Sequence, residues 1–201
     1  MNKDSHGRQY ISHSKIVGYW KDKCVTADGD VKSLTDASVD DEEVIIDCGE
    51  PECWGCRKQI LKVHDLKTYE QTILKDACKI WDAAIVRESL QRCHIVPHAL
   101  NGDDKDPSNY FLLCESCHKE SPDTANPKNF LRWFYRKRKG TWLNGWNMTK
   151  LMAEIQAECE RQGKDPGTFC IDDMPQGIAQ GNHISESTFV YGFVDACKGD
   201  T

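Results

Sequence analysis

Two short apolar runs near the middle of the chain flank a polar segment. The first run spans 90–96 and ends at Pro97, which cannot extend a β-ladder; the second spans Tyr110 to Leu113. Between them, Asn101 to Ser108 is rich in glycine and aspartate, as turns are. This pattern predicts an antiparallel hairpin.

Apolar spacing predicts further elements on both sides of this hairpin. An amphipathic helix is expected as an insertion from about Asp65 to Ala84, because apolar residues recur there every three or four positions. After the hairpin, helices are predicted at Cys114 to about Ser121, at Pro127 to Gly140, and at about Met148 to Arg161 with Leu151, Met152 and Ile155 inward. Short strands are predicted at Ile16 to Trp20, Cys24 to Val31, Val44 to Ile46 and Thr188 to Val194.

The cysteine pattern favours a metal site over disulfides. There are 11 cysteines, an odd number, and two Cys-x-x-Cys pairs, Cys53 with Cys56 and Cys114 with Cys117. Four thiolates satisfy one tetrahedral zinc, which would hold the ends of the hairpin together. Cys48 lies close enough to compete as a ligand, but the two-residue spacing of Cys53 and Cys56 matches the downstream pair. A set of small buried thiols is expected for the rest: Cys24, Cys78, Cys159, Cys170 and Cys197.

Three polar residues are displayed by this predicted hairpin in the order His94, Asn109, His118. His94 opens His-Ile-Val-Pro, Asn109 directly precedes the second strand, and His118 directly follows the last Cys-x-x-Cys. Together, in this order, these motifs resemble the HNH, or ββα-metal, endonuclease superfamily, in its subgroup with a four-cysteine structural zinc. The resemblance covers Cys53 to about Trp133.

The resemblance implies roles for these residues. His94 would be the general base, the Asn109 amide would orient its imidazole, and His118 would bind a catalytic divalent metal such as Mg²⁺, Mn²⁺ or another transition metal. Many members carry an aspartate ligand just before the catalytic histidine, where this chain has Cys93. A thiol is a poor ligand for magnesium and a good one for zinc, so Cys93 is a tentative ligand, and His98 is an alternative.

Charge is segregated along a chain whose net charge is -6. From Asp36 to Glu52 there are eight acidic residues and no basic one, which is typical of a solvated face. From Lys128 to Lys150 there are seven basic residues and no acidic one, which favours contact with a polyanion. DNA binding is therefore predicted for Lys128, Arg132, Arg136, Lys137, Arg138 and Lys139.

These observations predict an α+β protein with a ββα-metal core held by a four-cysteine zinc, flanked by helices and short strands. With 201 residues and 39% hydrophobic positions, it is divided into an N-terminal extension (1–47), a nuclease core (48–139) and a C-terminal helix and tail (140–201) for recognition or dimerisation. No apolar run approaches the roughly 20 residues of a membrane span. The polar N-terminal segment has no signal-peptide core, so a cytoplasmic protein is expected.

The function expected from the resemblance is metal-dependent hydrolysis of DNA phosphodiester bonds. A restriction, defence, phage or mobile-element role would suit such a nuclease, and cutting both strands favours a homodimer. The alternative is a catalytically inactive, zinc-stabilised module that binds nucleic acid. The presence of His94, Asn109 and His118 together argues against such decay, whereas Cys93 argues for it.

Overall fold

The fold is built around a two-stranded hairpin. The computed structural model describes residues 11–36, 42–46, 51–61, 76–142, 148–169 and 185–199. Strands β4 (Gln91–His94) and β5 (Tyr110–Leu113) pair antiparallel, with Gln91 opposite Leu113 and His94 opposite Tyr110. The predicted hairpin is therefore confirmed, and so is the α+β class.

The helix that completes the ββα unit follows the second strand directly. Helix α3 (Glu115–Glu120), with Cys114 and Ser121 as its N-cap and C-cap residues, confirms the predicted helix. Helix α4 (Pro127–Arg138) comes next, with the Asn126 side chain accepting a hydrogen bond from the Lys128 backbone N–H. Proline at the first helical position needs no backbone partner, so this start is stable.

The N-terminal segment contains a helix where a strand was predicted. Residues His13–Trp20 form helix α1, and Ser12 caps it by accepting a hydrogen bond from the Lys15 backbone N–H. Ile16, Val17 and Trp20 are buried on one face, which fits helical spacing better than strand alternation. The strand prediction from Ile16 to Trp20 is therefore wrong.

A small sheet follows this helix. Its strands are β1 (Lys23–Thr26), β2 (Val31–Ser33) and β3 (Glu42–Val44), in the order β2-β1-β3. The segment from Cys24 to Val31, predicted as a strand, is divided by a turn at residues 27–30 that joins the first two strands, and Gly29 occupies this turn with φ +77°.

The chain after Gly140 is mainly helical. Helix α5 (Met148–Gln162) is confirmed, with Leu151 and Ile155 buried, but Met152 is exposed, contrary to prediction. The predicted strand from Thr188 to Val194 is wrong, because these residues lie in helix α6 (Glu186–Ala196), capped by Ser185. Two-residue strands β6 (Lys164–Asp165) and β7 (Lys198–Gly199) pair antiparallel.

The predicted insertion helix falls mostly outside the described residues, as do Cys48 and Cys170. The described end of the insertion is a 3-10 helix at Ala77–Asp82, followed by helix α2 (Ala84–Ser89). None of the described helices is long and apolar enough to cross a membrane.

Phe111 of β5 lies at the centre of the core. Its ring meets those of Trp20 at 5.0 Å, Trp54 at 5.2 Å, Phe130 at 5.2 Å and Phe134 at 5.0 Å, all edge to face. Such aromatic pairs each stabilise by about 0.5–1.5 kcal/mol beyond burial. The hairpin that carries the site is thus fixed by aromatic residues from three separate segments.

Candidate functional site

The four cysteines predicted to bind zinc converge on one point. Their sulfur atoms lie within 4.8 Å of one another, and the Sγ atoms of Cys56 and Cys114 are 3.8 Å apart. Tetrahedral zinc with Zn–S bonds of about 2.3 Å requires sulfur separations of about 3.8 Å. The donor set and spacing therefore fit a structural zinc ion.

The surroundings favour the thiolate form of one cysteine, Cys53, whereas burial raises the pKa of Cys56 to about 11 and the hydrogen bond to Cys53 raises the pKa of Cys117. The Cys117 thiol and the backbone N–H of Cys114 donate toward Cys53 Sγ and hold the pKa of Cys53 low, to about 5. A thiolate is the form that binds zinc. Cys53 and Cys117 are 0% and 2% exposed, Cys114 is half-buried and Cys56 is exposed, so the cluster is open to solvent on one side.

Local packing places the upstream pair against the hairpin. The backbone N–H of Trp54 donates to the Leu112 carbonyl at 3.0 Å. This hydrogen bond joins the segment from Cys53 to Cys56, called the knuckle below, to the edge of β5. Gly55 lies under Cys117, where an added Cβ would be 3.0 Å from the Cys117 sulfur. The knuckle is therefore built for close approach of the two Cys-x-x-Cys pairs.

His94 and His118 face a common pocket. The pocket has a volume of about 450 Å³, and Cys93, His94, His118, Ser121 and Asp123 are among its lining residues. The structure thus brings both predicted catalytic histidines to one cavity on the surface of the ββα unit.

A side chain from the first strand orients His118. His118 Nδ1 hydrogen-bonds to Gln91 Oε1, and the tautomer that donates this bond leaves Nε2 with a lone pair. Metal-binding histidines commonly donate their second ring N–H in this way. Burial lowers the pKa of His118, partly offset by Asp123, which favours the neutral ligand form. Sequence inspection missed Gln91, whose only signal was its place at the start of the first strand.

His94 is held by a loop aspartate that was also not predicted. Its Nε2 lies 3.0 Å from Asp104 Oδ1, and the second oxygen of Asp104 lies 3.2 Å from Nδ1 of His98. The His94 ring also packs against Tyr110 with centroids 4.5 Å apart. The observed partner of His98 is thus a carboxylate; the hypothesis that it binds the metal remains a prediction.

Asn109 occupies the predicted place but makes different contacts. Its Oδ1 accepts from the Val96 backbone N–H at 2.8 Å, and its Nδ2 donates to the carbonyls of Val96 at 3.0 Å and Asp103 at 3.2 Å. The amide is therefore engaged by backbone groups and not by the His94 imidazole. It fixes the loop that follows His94, and so acts on the site indirectly.

Cys93 lines the pocket but is nearly enclosed. It is 2% exposed, and its sulfur lies 3.1 Å from Ser121 Oγ. Burial raises the pKa of Cys93 to about 12, so the thiol is protonated near neutral pH. A metal ligand at this position would first have to lose that proton.

Asp123 supplies a carboxylate to the same pocket from the segment after α3. Burial raises the pKa of Asp123, and the neighbouring His118 lowers it in part. The C-terminal helix α6 supports this segment, because the Asp123 backbone N–H donates to Thr188 Oγ1 at 3.0 Å. Ser185 and Thr188 of the same region line the pocket wall. The sequence pattern gives no sign of this position of Asp123, because its spacing from His94 matches no motif.

The predicted basic block does not form a free basic face. Side chains of Arg132, Arg136 and Arg138 are 11%, 17% and 1% exposed. All six predicted DNA-binding residues pair with carboxylates from elsewhere in the chain. The pairs are Lys128 with Asp30, Arg132 with Glu158, Arg136 with Glu154, Lys137 with Glu120, and both Arg138 and Lys139 with Glu43.

The acidic segment is the partner of this block at two positions. Side chains of Glu43 and Glu52 are 12% and 15% exposed, so for them the prediction of a solvated face is wrong. Arg138 also donates to the carbonyls of Trp54 at 2.8 Å and Val44 at 2.9 Å. Charges that are separated in the sequence therefore meet in the fold, beside the cysteine knuckle.

The family comparison agrees with the site geometry. Residues 78–123 match the family model described as HNH endonuclease. The matched segment includes the hairpin, His94, Asn109, His118 and the downstream cysteine pair. No curated protein and no solved structure matches the chain.

Proposed function

We propose that this protein is a metal-dependent DNA endonuclease that hydrolyses phosphodiester bonds in the pocket between His94 and His118. The observation that carries the proposal is the meeting of these two histidines at one cavity within an HNH domain. The match to the HNH model supports a nuclease with a nucleic-acid substrate, and we propose DNA as that substrate.

His94 is proposed as the general base. It takes a proton from water as the water oxygen forms a bond to phosphorus, and the bond from phosphorus to the leaving sugar oxygen breaks. The leaving oxygen then takes a proton from solvent. Positioned general bases contribute about 10²–10⁴-fold to such rates.

His118 and Asp123 are proposed to hold the catalytic divalent metal. A neutral imidazole and a carboxylate facing one pocket fit a hard or borderline cation such as Mg²⁺ or Mn²⁺. When bound, the ion would stabilise negative charge on the phosphoryl and leaving oxygens. Cys93 stays an alternative ligand, but its enclosure beside Ser121 gives it less access to an ion.

Helix α4 and the residue after it are proposed to contact DNA through fewer residues than the six predicted from the sequence. Lys128 and Lys139 have side chains 52% and 36% exposed, whereas the arginines are largely enclosed. Exposed ion pairs are weak, at about 0–1 kcal/mol, so a phosphate could replace either partner carboxylate. We therefore favour these two lysines over Arg132, Arg136 and Arg138 as phosphate contacts.

Plasmid cleavage tests the proposal. The parent should cut DNA when Mg²⁺, Mn²⁺, Ni²⁺ or Co²⁺ is supplied, and His94→Ala should lower the rate by about 10²-fold or more. Glu88→Ala, which removes an exposed side chain that does not line this pocket, is the control and should cut at the parent rate. DNA binding without cleavage under all four metals would instead identify the inactive binding module.

The biological setting is a further proposal. A restriction, defence, phage or mobile-element nuclease, located in the cytoplasm and acting as a homodimer, would suit a small DNA-cutting protein. Cleavage of defined modified and unmodified DNA, together with the mass of the protein in solution, would separate these settings.

A further inference from the structure

The loop between strands β4 and β5 contains a carboxylate, that of Asp104, placed between two histidines. Asp104 uses one oxygen for each: Oδ1 lies 3.0 Å from His94 Nε2 and Oδ2 lies 3.2 Å from His98 Nδ1. Resting on the proposed role of His94 as the base, we propose that Asp104 is a positioning residue that selects the reactive tautomer and ring orientation of His94.

The argument starts from the chemistry of the ring. A neutral imidazole has one N–H donor and one acceptor nitrogen, and an ionised carboxylate only accepts. A hydrogen bond to Asp104 therefore places the His94 proton on Nε2 and leaves the lone pair on Nδ1. Nδ1 becomes the nitrogen that removes a proton from water.

The position of Asp104 is fixed by the loop around it. Tyr110 Oη donates to the Asp104 carbonyl at 3.1 Å, and Asn109 Nδ2 donates to the neighbouring Asp103 carbonyl at 3.2 Å. Gly102 lets this loop approach the hairpin, because a Cβ there would be 1.8 Å from the Val96 carbonyl oxygen. Tyr110 also packs its ring on His94, so one residue restrains both partners.

Orientation, and not stability, is what this contact contributes. Side chains of His94 and Asp104 are 33% and 46% exposed, and pairs this exposed add little to folding free energy. His98, with a side chain 80% exposed, contacts the other oxygen and limits rotation of the carboxylate. This assignment gives Asp104 the task that the resemblance implied for Asn109, while Asn109 holds the loop.

The test combines nuclear magnetic resonance with kinetics on the full zinc-loaded chain. Long-range ¹H–¹⁵N spectra report the tautomer of His94, identified by comparison with His94→Ala. The parent should show proton on Nε2, whereas Asp104→Ala should show a mixture and lose about 10- to 100-fold in kcat with little change in KM, part of the general-base contribution. Asp104→Asn keeps an acceptor oxygen and should recover part of this loss.

Asp103→Asn is the matched control, because it removes one negative charge from the same loop and keeps a side-chain oxygen that can accept from the Lys105 backbone N–H, as Asp103 does. It should keep the parent tautomer and kcat within about twofold. A parental tautomer or a parental kcat in Asp104→Ala would overturn the inference. If His94→Ala itself cut DNA at the parent rate, the proposed base would fail instead, and the spectra would still decide whether Asp104 holds His94.

Discussion

The cysteine cluster and the histidine pocket lie on the same ββα unit but differ in how their donor atoms are held. The four sulfurs converge within 4.8 Å of one another, and among the described residues this is the one group of three or more such donors that does. Around the pocket, His94 and His118 each have one ring nitrogen engaged by a neighbouring side chain. On the proposed function, the cluster would hold a permanent zinc ion and the pocket would admit a substrate and an exchangeable ion.

This comparison predicts that damage to the cluster affects folding and damage to the pocket affects activity. An isolated two-stranded hairpin is at best marginally stable, so β4 and β5 depend on what holds them. The cluster, Phe111 and Arg138 provide that support. The contact between His94 and Asp104, whose side chains are 33% and 46% exposed, contributes less to stability.

Loss of a zinc ligand should have the largest effect. Cys53→Ser or Cys117→Ser should lose bound zinc and solubility together, because structural zinc contributes on the order of 10 kcal/mol to small sites. Metal analysis of the purified protein measures the bound zinc, and the soluble fraction after expression measures the solubility. Cys78→Ser, which changes a thiol outside the cluster, should keep the zinc. Stoichiometric zinc in Cys117→Ser would remove the cluster from this account.

Arg138→Ala should destabilise by about 3–5 kcal/mol, because it leaves buried partners without their cation. The Arg138 side chain is 1% exposed and connects α4 to Glu43 and to the Trp54 carbonyl of the knuckle. Urea unfolding measures the change. Lys139→Ala, one residue away and more exposed, should lose no more than about 1 kcal/mol. Equal urea midpoints for the two variants would contradict the buried structural role of Arg138 and return it to the candidate DNA contacts.

The Cys93 variants test which residues hold the catalytic ion. Cys93→Ala should leave the dependence of cleavage on Mg²⁺, Mn²⁺ and Ni²⁺ unchanged, and Cys93→Asp should destabilise by about 1–3 kcal/mol through an enclosed carboxylate. Asp123→Asn should weaken Mn²⁺ binding by about tenfold or more in calorimetry. If Cys93→Ala weakened Mn²⁺ binding and Asp123→Asn did not, Cys93 would be the ligand.

The smallest expected effect concerns the basic helix. Replacing Lys128 and Lys139 together by alanine should reduce the salt dependence of DNA binding by a slope of about two, roughly 0.9 for each phosphate contact. Fluorescence anisotropy at several salt concentrations gives this slope. An unchanged slope would place the DNA path away from α4.

The features predicted correctly from sequence were those set by local pattern. Apolar spacing, Pro127 and Gly140 predicted the hairpin and helices α3, α4 and α5. The two Cys-x-x-Cys pairs predicted the cysteine cluster. The errors came from two short apolar runs, Ile16 to Trp20 and Thr188 to Val194, whose length and composition are common to strands and helices. Capping by Ser12 and Ser185 decides both cases in favour of a helix.

The partners of the site residues could not be predicted because they depend on the folded loop. Asp104 reaches His94 across a turn of irregular geometry, and Asp123 comes from a segment supported by α6. The same applies to the charged blocks, since only the fold shows that Arg138 meets Glu43. Sequence identified the histidines, while the groups that orient them required coordinates.

Metal removal and replacement test the central claim most directly. The purified protein should retain one zinc through dialysis against a mild chelator that abolishes cleavage, and added Mg²⁺ or Mn²⁺ should restore cleavage without changing the zinc content. This result is expected because the cysteine cluster and the pocket serve different ions. Full cleavage by chelator-treated protein with zinc as its only metal would contradict the account.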